Sequence, residues 1–175
     1  VGLLTGQYPQ RSGFVATMAE QHRQFGLTID GMTLAGELKA HGYATGIVGQ
    51  WRHANFSCRE NYFSHIDLIG DKIVTESSPM ISDWNYTERT NAAIRFIRQI
   101  GNKPFCLYLP FSTPGMPALV DRAISHGTKI RHLDRAVGKI IAVLKETNIG
   151  NDSLVFFCST CGAEENRYNY PLRAA

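Results

Sequence analysis

The sequence has no apolar run long enough to cross a bilayer, which takes ~20 mostly apolar residues. It has only four cysteines among 175 residues, Cys58, Cys106, Cys158 and Cys161, too few and too scattered for a disulfide framework. Lys and Arg form no stripe interleaved with aromatics, and the net charge of +3 is spread along the chain, which argues against nucleic-acid binding. There is no internal repeat, no low-complexity tract and no linker-like stretch, so a single, incomplete domain over 1–175 is expected. The start, Val1-Gly2-Leu3-Leu4-Thr5-Gly6, lacks an initiator Met and a basic segment. It does not read as a signal peptide but as a chain entered midway. What remains is the composition of an ordinary globular domain, 43% apolar and 19% charged, with enough length for a real core.

The apolar residues are organised as helices alternating with short strands. In Leu3–Phe14 the first residues read as the end of a short helix and the rest as an ordered loop. Thr33 caps a helix with Leu34, Ala35 and Leu38 on its apolar side and Gly42 past its end. Tyr43–Val48 follows as a buried strand leading to Gly49-Gln50-Trp51-Arg52-His53. Asn55–Ser82 shows no clear period, and within it Phe63–Ile69 reads as a strand or a packed loop. Ser82-Asp83 opens a helix through about Ile100, with Ala93, Phe96, Ile97 and Ile100 on one face. Phe105–Leu109 is a strand leading to Ser112–Pro117. A long helix spans roughly Thr128–Thr147, with Ile130, Leu133, Val137, Ile140, Ile141 and Leu144 as its core stripe. Leu154-Val155-Phe156-Phe157 then reads as a strand buried on both faces, running into Cys158-Ser159-Thr160-Cys161-Gly162. Such alternation predicts an α/β fold, a parallel-rich sheet with helices on both faces. Three strand tips would then converge on one edge, where α/β sheets bind ligands.

Several residues there invite chemistry, and each has a plainer reading. Cys158 and Cys161 form a Cys-x-x-Cys pair. A redox dithiol wants a helix N-terminus, and a zinc site wants further ligands; Cys58, His53 and Cys106 show no ligand spacing. The plainer reading is a pair of structural thiols. His41 reads as a helix cap, His126 and His132 as solvated or packing residues, and Asp134 as structural. Glu164-Glu165-Asn166 reads as a solvated loop. Sequons at Asn55, Asn85 and Asn151 would permit glycosylation in a secretory compartment, or occur by chance.

Four stretches together resemble the sulfatase family of the alkaline-phosphatase-like superfamily. They are Leu3–Gly13; Thr33–Ala35 with Ala40–Thr45 and Val48–Trp51; Phe105–Pro117; and Asp134–Gly138 through Gly162. The resemblance implies an alkaline-phosphatase-like α/β sandwich and hydrolysis of sulfate esters, on small molecules or glycans. It implies a formylglycine nucleophile, a calcium ion on Asp and Asn oxygens, and Lys and His side chains on the sulfate. It also implies a secreted, periplasmic or lysosomal setting.

Carried over position by position, the resemblance finds the scaffold kept and the chemistry replaced. The nucleophile signature and the first strand would fall before Val1, leaving that strand's neighbours unpaired. The family's lysine falls on Gln50 and its histidines on Arg52 and Gly115; the metal aspartate falls on Thr160 and the metal asparagine on Cys161. Gln50 is neutral, Arg52 exchanges no proton near neutrality, and Gly115 has no side chain. Cys161 is a soft ligand, ill suited to calcium. His53 could replace the histidine only by a one-residue slip. Gly49, Trp51, Thr113, Pro114, Ser159 and Gly162 fit the family pattern. The expectation is a sulfatase-like domain that is catalytically inactive as written, with no cofactor of its own. The alternatives are an arylsulfatase-type sulfuric ester hydrolase when complete, and a Cys-x-x-Cys redox or metal module.

Overall fold

The computed structural model describes residues 2–8, 11, 32–49, 62–67, 86–111 and 126–159. These fall in two compact units, Val1–Ser112 and Thr113–Ala175.

The first unit is built around one strand. β1 (Ala44–Val48) pairs in parallel with β2 (His65–Asp67) on one side and β3 (Phe105–Tyr108) on the other. The order β2-β1-β3 makes β1 central, and Thr45, Ile47 and Val48 are each 0% exposed. A strand covered on both faces reads as a continuous apolar run, as Ala-Thr-Gly-Ile-Val nearly does. Period-two alternation sends Thr45 and Ile47 to one face and Gly46 and Val48 to the other. On the first face, Ile47 packs with Leu4 of α1 (Gly2–Thr5), Ala35 of α2 (Leu34–Ala40), Tyr62 and Phe63. On the second lies α3 (Tyr86–Ile100), whose Phe96 ring rests against Gly46. A Cβ at Gly46 would stand 2.7 Å from that ring, so only glycine admits the helix at this depth. Helices on both faces of a parallel sheet are what the alternating pattern predicts.

Local signals in this unit behave as read. Thr33 Oγ1 accepts the Gly36 N–H at 3.0 Å, starting α2. His41 is its cap: its N–H donates to the Glu37 and Leu38 carbonyls, its Nδ1 lies 2.8 Å from Glu37 O, and Gly42 follows at φ 84°. Leu34 is 53% exposed, however, so the burial of α2 falls chiefly on Ala35. The ambiguous stretch 63–69 contains β2, tied to β1 by side chains. Thr45 Oγ1 donates to Tyr62 O at 2.8 Å, and Ser64 Oγ donates to Thr45 O at 3.0 Å. Ala93, Phe96 and Ile97 of α3 are buried as its period requires.

In the second unit, α4 (His126–Glu146) is followed by a 3-10 turn at Gly150–Asp152. The helix is where its period puts it, but its burial differs. Ala136, Val143 and Leu144 are buried, whereas Ile130, expected in the stripe, is 45% exposed. The larger correction concerns Leu154–Phe157, expected as a strand buried on both faces. It forms no strand, and its four residues are 80%, 51%, 77% and 68% exposed. Apolar character alone does not make a strand: its N–H and C=O groups need a ladder, and this run pairs with no strand among the described residues.

Candidate functional site

The C-terminal edge of the sheet is where ligands are expected in an α/β fold. Within the first unit, the β1 and β3 tips lie at this edge. β1 and β3 run in register, Ile47 beside Tyr108, so both chains leave the sheet together. Gly49 leaves at φ 125°, and a Cβ there would stand 2.5 Å from Pro110 O. A side chain at 49 would therefore collide with backbone, and glycine is required for the two exits to lie so close. Aromatic contacts secure the base of the edge. Phe63 stacks on Tyr108 with ring centroids 6.5 Å apart, and Tyr86, opening α3, meets Phe111 edge-on at 5.6 Å.

Gln50, Arg52 and Gly115, the residues expected at the family's catalytic positions, lie outside the described residues. So do Thr160 and Cys161, His53 and Cys58, Glu164–Asn166, and the scaffold residues Trp51, Thr113, Pro114 and Gly162. The third tip is described only as far as Ser159. There Cys158 is an exposed free thiol and not part of a helix, whereas a redox dithiol wants a helix N-terminus. Cys106 is a free thiol within β3, and burial pushes its pKa above the ordinary thiol range. Among the described residues, no three His, Cys, Asp or Glu side chains are grouped to hold a metal. His132 and Asp134 are exposed on α4, and Asn151 is exposed just beyond it.

Sequence reasoning missed one residue. Arg89 is 2% exposed, a charged side chain buried in the first turns of α3. Its spacing with Tyr86, Ala93 and Phe96 puts it on the face that packs on the sheet, and that spacing was the available signal.

The comparisons agree with this architecture. The chain matches the Sulfatase family over residues 1–169. It is 26% identical to the N-acetylgalactosamine-6-sulfatase of Sus scrofa, over 92% of this chain and 40% of that protein. A shorter stretch of 49 residues, 28% of this chain and 10% of the relative, is 47% identical to arylsulfatase A of Bos taurus. Among solved structures, Ps i-CgsB in complex with k-i-k-neocarrahexaose superposes with a TM-score of 0.65 at 19% identity, covering 85% of this chain and 44% of that one. That likeness speaks for the fold. The chain thus spans 40% of the length of the N-acetylgalactosamine-6-sulfatase it matches. With a parallel sheet under helices and a family match along nearly its whole length, the chain belongs to the sulfatase family.

Proposed function

We propose that this chain is a sulfatase-derived domain that does not turn over sulfate esters with its own residues. The single observation behind this is the set of residues at the family's catalytic and metal positions: Gln50, Arg52, Gly115, Thr160 and Cys161. Sulfuryl transfer needs preorganised positive charge on the sulfuryl oxygens and a proton for the leaving group. Gln50 and Gly115 bring neither, and Arg52 brings charge without an exchangeable proton. Calcium does not fit the donors either. It takes several hard oxygen ligands, carboxylates first among them, whereas Thr160 is a neutral hydroxyl and Cys161 a soft sulfur. No step is therefore assigned to a metal.

Both compact units are parts of one sulfatase-like domain, a reading supported by the family match running across them. The ligand class is a sulfated sugar or small sulfate ester, and the setting is a secretory, periplasmic or lysosomal compartment. The named relatives, sulfatases of sulfated sugars among them, support this assignment. Among the described residues, no helix is long and apolar enough to cross a membrane.

The test is turnover of a chromogenic aryl sulfate, with and without Ca²⁺, against a heat-inactivated control. No turnover above the control is expected. Turnover above it would overturn the reading in favour of an active sulfuric ester hydrolase.

A further inference from the structure

The sequon Asn151-Asp152-Ser153 lies within the described residues, whereas Asn55 and Asn85 lie outside them. Its surroundings are those of an acceptor. α4 ends because Asn148 takes φ 58°, and the last carbonyls are closed by backbone: Asn148 N–H donates to Lys145 O at 3.0 Å and Ile149 N–H to Leu144 O at 3.1 Å. The 3-10 turn that follows is also self-contained. Asp152 N–H donates to Ile149 O at 3.2 Å, and Ser153 Oγ donates to the same carbonyl at 2.7 Å. Asn151 is exposed, and the bonds that close this turn do not use its side chain. A bulky group on Nδ2 would break none of those bonds and displace no core contact.

We propose that Asn151 is an N-glycan acceptor. This rests on the secretory-compartment reading above. The donor is an oligosaccharide carried on a lipid pyrophosphate. The Asn151 Nδ2 bonds to the anomeric carbon, the bond from that carbon to the pyrophosphate oxygen breaks, the lipid pyrophosphate leaves with the electron pair, and Nδ2 gives up one proton. Ser153 is the hydroxyl residue the sequon requires.

The chain is expressed behind a cleavable secretory leader in eukaryotic cells. Purified protein is treated with a glycoamidase in ¹⁸O-water and peptide-mapped. The expected result is ¹⁸O-labelled Asp at position 151, lost in Asn151→Gln and Ser153→Ala, kept in Ser153→Thr, with the unfolding midpoint of Asn151→Gln unchanged. An unlabelled Asn151 in chains whose leader has been removed would overturn the proposal, whatever happens at Asn55 or Asn85. So would labelling that survives Ser153→Ala. Because the leader supplies the compartment and turnover is not read, failure here is distinct from failure of the functional reading.

Discussion

β1 and the run Leu154–Phe157 are nearly the same kind of sequence with opposite fates. Ala-Thr-Gly-Ile-Val has a ladder on each side and helices on both faces, and Ile47 and Val48 are 0% exposed. Leu-Val-Phe-Phe is the more hydrophobic of the two, yet Leu154 is 80% exposed and Phe156 77%. What separates them is neighbours. β1 has a glycine where Phe96 must enter, a threonine that bonds Tyr62 O, and a partner strand on each edge. The second run has no ladder partner among the described residues. Hydrophobicity marks a segment that gains from burial, and pairing decides whether burial happens.

The sharpest way to break the contrast is to unpack β1. Phe96→Ala removes a ring that is 1% exposed and packed against Phe105 and His65. It should cost about 4 kcal/mol, read as a drop in urea midpoint at unchanged slope. Gly46→Ala should cost about 2 kcal/mol by overpacking the same contact. Its cost should shrink in a Phe96→Leu background, because the two residues share one space; additive costs would contradict the placement of α3.

A smaller effect separates the two thiols. Burial raises the Cys106 pKa, so the folded state holds that proton more tightly than the unfolded chain. The resulting stability is present below the ordinary thiol range and is lost as pH rises through the raised folded value. Cys106→Ala should flatten this alkaline decline, and in the native protein Cys158 should alkylate well before Cys106. Equal rates would place Cys106 at the surface. The smallest effect is expected in the second run. Phe156→Ser should change stability by no more than about 0.5 kcal/mol, while lowering any self-association seen in sedimentation. A cost of several kcal/mol would mean that Phe156 is buried after all.

Much of the first unit was legible in the sequence. The Thr33 cap, the Gly42 stop, the apolar face of α3 and the β1 and β3 runs rest on local chemistry, and each stands where that chemistry puts it. Three things went unread: the first had a signal in its helical spacing, and the other two depend on distant residues. Arg89 is buried despite its charge. Ile130 sits on the apolar period of α4 and is exposed. Leu154–Phe157 is apolar and unpaired. At the candidate site, the sequence placed Gly49 just past the β1 run, whereas its close fit against Pro110 O comes from the fold. The expectations for its chemistry came only through the family resemblance, because nothing in the spacing of Gln50, Arg52, Gly115, Thr160 and Cys161 points to one another.

The central claim is that the family scaffold is kept while its ligands and catalysts have been replaced. Calcium titration by calorimetry tests it most directly, since binding needs only the donors and no nucleophile. The account predicts no saturable heat and no rise in unfolding midpoint with added Ca²⁺. Saturable one-to-one binding that Thr160→Ala abolishes would contradict it.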